Sequence, residues 1–124
     1  MSRYLSFEEV VEINADVVKK FGGVHALRDA GALHAAVARP QIGYYADAVE
    51  EAAALFESLL QNHPFLDGNK RVGITATAVF LRLNGFELVF DDKQAYQWLV
   101  GLLEAGQLNK VNVESWLRQH VQRT

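Results

Sequence analysis

Nine residues, His63-Pro64-Phe65-Leu66-Asp67-Gly68-Asn69-Lys70-Arg71, divide two strongly apolar stretches, and this break constrains the fold more than any other feature. Before it, Ala48, Ala52, Leu55, Phe56, Leu59 and Leu60 recur at helical spacing behind Asp47, a good N-cap. The same spacing assigns Glu50, Glu51, Glu57, Ser58 and Gln61 to a solvent face. After the break, Val72, Ala76, Val79, Phe80 and Leu83 share one face of a helix over 69–84, with Ile74, Ala78 and Leu81 roughly opposite. A helix apolar on two sides is buried on both, so this one is expected to be central to the domain. His63 lies four residues after Leu59 and seven after Phe56, which extends the apolar stripe and predicts an inward-pointing ring.

The remaining elements are also helical. Ser6 and Glu9 have the spacing of a capping box, and Phe7, Val10, Val11, Val18 and Phe21 continue a helix that Asn14 interrupts and Gly22-Gly23 ends. A shorter helix is expected from Asp29 to Arg39, stopped by Pro40. Gln41 to Ala46 then forms a connection, in which Tyr44 and Tyr45 are either a recognition surface or packed on the domain edge. Phe86–Phe90 reads as a short extended piece and 92–105 as a helix with Tyr96, Leu99, Val100 and Leu103 inward. Asn112 is expected to cap a last helix carrying Val113, Trp116, Leu117 and His120. The expected fold is all-α, one domain over residues 1–124, with about six helices around a central buried helix and at most a small strand or flap.

Composition narrows the chemistry. A chain of 124 residues that is 50% hydrophobic and 22% charged can bury a core of its own. It has no cysteine, which excludes disulfides, thiolate metal sites and cysteine nucleophiles. A formal net charge of -3 provides no basic field for a nucleic-acid backbone. There is no signal-peptide pattern at Met1–Phe7 and no apolar run near the roughly 20 residues that span a bilayer, so a cytoplasmic protein without a membrane partner is expected.

The charged break has a chemical reading. The first N–H groups of a helix lack partners and carry partial positive charge, and Gly68 lets backbone approach a ligand closely. Gly68, Asn69, Lys70 and Arg71 therefore form a candidate phosphate cradle, with Lys70 and Arg71 turned away from the core face. Asp67 is a candidate Mg2+ ligand, and His63 is the candidate general base near it. Phe65 is expected to plug the loop into the core. The competing reading is a plain Asp-Gly turn, an Asn N-cap and a solvated first turn. Cations at a helix N-terminus are mildly unfavourable, however, so a plain turn predicts acids where Lys70 and Arg71 stand.

The nine residues resemble the signature of the Fic/Doc family, H-x-F-x-[DE/A]-[GA]-N-[GK]-R. Phe21-Gly22-Gly23, Leu27-Arg28-Asp29, Ala38-Arg39-Pro40 and Asn84-Gly85 are similar to the Doc (death-on-curing) branch, as is the short helical length. The resemblance implies ATP-dependent modification of a protein hydroxyl. In it, His63 would be the base, Asp67 the Mg2+ ligand, and Asn69, Lys70 and Arg71 the phosphate holders. Lys70 replaces the glycine of the AMP-transferring branch, and Ile74 stands where that branch has a second arginine. The pattern thus implies a Doc-type toxin that transfers the γ-phosphate of ATP, with a threonine of elongation factor Tu as the family's target and a translation block as the outcome. Gly68, where the Doc prototype has alanine, follows the AMP-transferring pattern, so AMP transfer is the alternative. A catalytically inactive binding module is a third reading. Gln41, Ile42, Gly43, Tyr44 and Tyr45 match the flap that aligns a target backbone as an added strand. The self-inhibitory motif [ST]-x-x-x-E-[GN] does not occur in the sequence, which implies a separate antitoxin whose disordered tail folds into a groove.

Outside the loop, His25, His34 and His120 lack metal-ligand spacing, and His34 reads as an edge residue. Arg28-Asp29 is either support for catalysis or an N-cap with surface charge, the second being favoured. Trp98 and Trp116 read as core.

Overall fold

Ser6 and Glu9 close the capping box that their spacing predicts. Ser6 Oγ accepts the Glu9 N–H at 3.1 Å, and the Glu9 carboxylate accepts the Ser6 N–H at 2.8 Å. In the computed structural model, which describes residues 2–124, this box opens α1 (Phe7–Phe21). There follow α2 (Ala30–Ile42), α3 (Ala48–Asn62), α4 (Asn69–Leu83), β1 (Phe86–Leu88), α5 (Asp92–Glu104), α6 (Lys110–His120) and β2 (Val121–Arg123). Asp29, Asp47, Asp91 and Asn109 cap α2, α3, α5 and α6 through side-chain oxygens. The two strands pair antiparallel, Phe86 opposite Arg123 and Leu88 opposite Val121. The described residues form an all-α bundle with one small sheet.

The most buried helix is α3 rather than α4. Ten of its fifteen residues are buried, against seven in α4, because α2, α4 and α6 all pack on it. Its partnership with α4 is close: a side chain at Gly73 would run into Leu60. The same enclosure buries Glu51 and Ser58, which helical spacing assigns to solvent. The N-terminal segment crosses over Glu51, whose carboxylate accepts Ser2 Oγ–H and Tyr4 O–H at 2.5 Å each. Spacing within a helix cannot register a neighbour that arrives from elsewhere in the chain.

Two boundaries move. Pro40 does not stop α2; its buried ring sits in the last turn, and the helix runs to Ile42 before Gly43 caps it. Pro40 has no N–H to return to Ala36 C=O, so that one bond of the ladder is lost, while Gly43 N–H still closes the turn onto Arg39 C=O at 3.3 Å. The last helix begins at Lys110, with Asn109 rather than Asn112 as the cap, since Asn109 Oδ1 accepts the Asn112 N–H at 2.8 Å. Trp98 and Trp116 stack on each other at 4.3 Å between centroids and are half-buried against the core. His34 is exposed and stacks on Phe7 at 4.2 Å.

Candidate active site

The loop between α3 and α4 is built by three distant segments. The strap Ala26–Asp29 lies along it: Leu66 N–H donates to Ala26 C=O at 2.9 Å, and Arg28 and Asp29 N–H both donate to Pro64 C=O at 2.8 and 3.1 Å. Leu27 and Phe65 form an isolated antiparallel bridge. Phe65 itself is buried in the core and anchors the loop from beneath. From α1, fully buried Asn14 donates through Nδ2 to Asp67 C=O at 2.9 Å, while its Oδ1 meets His25 Nδ1 at 2.8 Å. An unpaired carboxamide at that depth would be costly, and these two bonds satisfy it. The interruption in the α1 stripe is therefore a tether for the loop.

Asp67 Oδ2 accepts Val24 N–H at 2.8 Å, so the carboxylate is held in place by the segment after Gly22-Gly23. Gly68 adopts φ 84°, and a Cβ there would lie 3.2 Å from Val17 Cγ1 and 3.3 Å from Asn14 Nδ2. Glycine thus serves both the left-handed turn and the close approach to α1. Gly68 has no side chain to cap α4, which leaves the first N–H groups of that helix available to a ligand. Asn69 does something that the phosphate-cradle expectation omits. Its carboxamide turns back onto Phe65, accepting the N–H at 3.0 Å and donating to the C=O at 2.9 Å. A ligand at this helix start would meet the Asn69 backbone.

Arg71 is not free of the protein surface as the helical wheel predicts. Its guanidinium lies 4.0 Å from the Phe21 ring centroid and 4.2 Å from that of Tyr96. Stacking between two rings confines the side chain while leaving the edge of the fork open. Lys70 is exposed.

These groups surround one cleft of about 510 Å³, lined by His63, Asp67, Lys70 and Arg71 together with Phe21, Leu66 and Tyr96. That volume is in the range of small-molecule sites. Asp67 is the one carboxylate in the lining, against one lysine and one arginine, so the cleft is locally positive although the chain is acidic overall. His63 is at the rim: its ring is exposed, contrary to the inward expectation, because the residue adopts a left-handed φ of 45° at the end of α3 and leaves the helical phase.

A model of the Fic/DOC family matches residues 4–81. The chain belongs to the Fic/Doc family. It is 44% identical over 96 residues to a protein described as Toxin Doc from Mycolicibacterium smegmatis, covering 73% of this chain and 72% of that one. It is 29% identical over 121 residues to Protein kinase doc of Escherichia phage P1, covering 94% of each. Both relatives belong to the Doc branch, and so does this chain.

Within this Fic/Doc domain, His63, Asp67, Gly68, Asn69, Lys70 and Arg71 all line the cleft, whereas Gln41, Ile42, Gly43 and Tyr44 do not. Gln41 and Ile42 are helical, the last turn of α2, and Gly43 N–H donates to Arg39 C=O at 3.3 Å. The stretch expected to be a flap is thus half helix, since Pro40 fails to end α2. Ile42 and Tyr44 are nevertheless strongly exposed. No helix among the described residues is long and apolar enough to cross a membrane. Sequence reasoning missed Asn14, Phe21, Val24 and Tyr96 as site components. The signal that could have found Asn14 was its place in an otherwise apolar stripe.

Asp67 suits one kind of metal. Among the described residues no three His, Asp or Glu side chains gather into a cage. A Mg2+ ion bound through one carboxylate, with water and phosphate oxygens completing its shell, needs no cage. Among the described residues the second oxygen of Asp67 accepts no hydrogen bond, so the residues present fit such an ion.

Proposed function

We propose that this protein is a Doc-type toxin that phosphorylates a hydroxyl of a protein target with ATP. The observation that carries the reading is the convergence, on one locally positive cleft, of an exposed imidazole, a lone carboxylate and an uncapped helix start bearing two cations. Phosphoryl transfer asks mainly for positioning and charge neutralisation, which this set supplies. His63 accepts the proton of the target hydroxyl as its oxygen attacks the γ-phosphorus, and ADP departs. Lys70 and Arg71 hold the phosphates with the N–H groups of the first α4 turn, and the side chain of Asn69 keeps the loop in shape behind them. Asp67 would hold Mg2+, which neutralises phosphate charge when bound.

Transfer of the γ-phosphate rather than AMP is favoured by Ile74. The AMP-transferring branch has an arginine at this position, and here the residue is apolar and only 5% exposed. The similarity to a phage protein kinase supports the same choice. We assign the target as a threonine of elongation factor Tu, with a block of translation in the cytoplasm as the toxic outcome. A separate antitoxin with a disordered inhibitory tail completes the system.

The test is a transfer assay with γ-labelled and α-labelled ATP, Mg2+ and purified elongation factor Tu, run with wild type and His63→Ala. Label from the γ position that disappears in the variant is the expected result. Label from the α position alone makes the protein an AMP-transferase. No label from either, with a partner still bound, leaves a binding module.

A further inference from the structure

We infer that Arg28 is a positioning residue that sets the backbone of His63 and thereby aims its imidazole; this rests on the reading of His63 as the base. One guanidinium grips the two carbonyls on either side of the His63 Cα. Arg28 Nη2 donates to Asn62 C=O at 2.7 Å, and Arg28 Nε donates to His63 C=O at 2.6 Å. The Asn62 carbonyl marks the peptide plane that defines φ of His63, and the His63 carbonyl marks the plane that defines ψ. The backbone N–H of the same arginine holds the next carbonyl, that of Pro64, at 2.8 Å. Three consecutive carbonyls of the loop therefore end on one residue of the strap.

The conformation so held is not the one His63 would choose. At φ 45° and ψ 61° it is the one non-glycine residue with positive φ among the described residues. A residue that precedes proline is driven toward extended backbone by the proline ring. With the guanidinium gone, the end of α3 has two carbonyls without their partner, and His63 relaxes toward the extended region. Its Cβ then swings and the ring leaves the rim of the cleft. The Arg28 side chain is exposed and forms no salt bridge among the described residues, and Asp29 beside it is occupied as the α2 cap.

The experiment compares wild type, Arg28→Ala, Arg28→Lys and His63→Ala. Two quantities are read: kcat and KM for ATP in γ-label transfer, and the backbone 13C shifts of His63. Arg28→Ala is expected to lose about 100-fold in kcat with KM for ATP within about twofold, the size of effect that a displaced catalytic group gives. Its His63 shifts move from left-handed to extended values. Arg28→Lys recovers only part of kcat, because one ammonium cannot bridge both carbonyls as the planar fork does. Millimolar free guanidinium restores part of the activity of Arg28→Ala. A raised KM with unchanged kcat would make Arg28 a nucleotide contact and overturn the inference. So would unaltered His63 shifts. If His63→Ala retains transfer, the base reading fails instead, and the shift comparison still decides whether Arg28 holds the backbone. Should Arg28→Ala not fold, Arg28→Lys carries the same comparison.

Discussion

The carboxamide of Asn69 is bonded twice to the backbone of Phe65, accepting its N–H at 3.0 Å and donating to its C=O at 2.9 Å. Phe65 is buried, so its peptide groups have no water to fall back on. Asn69→Ala leaves both unpaired and is expected to destabilise the domain by about 2 kcal/mol, within the range for a stranded buried pair. Urea unfolding measures this. Asn69→Asp keeps the acceptor and loses the donor, and is expected to fall between the two.

Arg71 stands between Phe21 and Tyr96, and the rings restrict where its fork can point. Phe21→Leu removes one wall while leaving an apolar side chain on an already exposed position. ATP affinity is expected to weaken by about fivefold, corresponding to about 1 kcal/mol of cation–π stacking, with little change in unfolding midpoint. Isothermal titration with ATP and Mg2+ reads the affinity. An unchanged affinity would mean that stacking contributes nothing to phosphate binding.

His63→Asn separates backbone from chemistry. Asparagine tolerates the left-handed region, so the loop keeps its shape, yet a carboxamide cannot take a proton at neutral pH. Target modification is expected to fall by about 10²–10⁴-fold while thermal stability stays near wild type. Growth inhibition on expression should be relieved to the same extent as for His63→Ala.

Gly68→Ala meets both a φ of 84° and side chains of Val17 and Asn14 at 3.2 and 3.3 Å. A cost of about 1–2 kcal/mol is expected from the left-handed backbone. Val17 is buried, so Val17→Ala has a cost of its own and is the reference for the double variant: in that background, where the contact is relieved but the backbone is not, Gly68→Ala should cost less than in wild type without becoming neutral. A cost of zero in the Val17→Ala background would show that crowding alone selects glycine here.

Stability at low pH should reflect Asp47. Hydrogen bonds from Arg118, and then from the N–H groups of the first α3 turn, hold this carboxyl below its ordinary value of 3.8, against the opposing effect of partial burial. A depressed carboxyl stabilises the fold above its unfolded value, and that stabilisation is lost as pH falls through the folded value. Wild type should therefore lose more stability than Arg118→Met between pH 4 and pH 2, about the ordinary carboxyl value. The pair is well exposed, so added salt should narrow the difference. Urea midpoints across that range, at low and high salt, are the measurement.

Much of this protein was legible along the chain because its signals are local. Helix existence follows from apolar spacing and caps, and the charged groups of the cleft come from nine adjacent positions, whereas its aromatic walls Phe21 and Tyr96 lie far from them in the chain. What the chain order could not display was where those side chains are aimed. His63 departs from the phase of α3 because a strap 35 residues away grips its flanking carbonyls. Asn69 and Arg71 sit in a row on one helix, yet one turns back to Phe65 and the other enters a sandwich made by α1 and α5. Glu51 reads as a solvent residue until the N-terminal segment covers it. By itself the sequence determined that there would be a charged loop between two buried helices, and which groups it would carry. Only the tertiary structure decided their directions, since hydrogen-bond partners and ring stacks come from elements that meet in space and share no period with the loop.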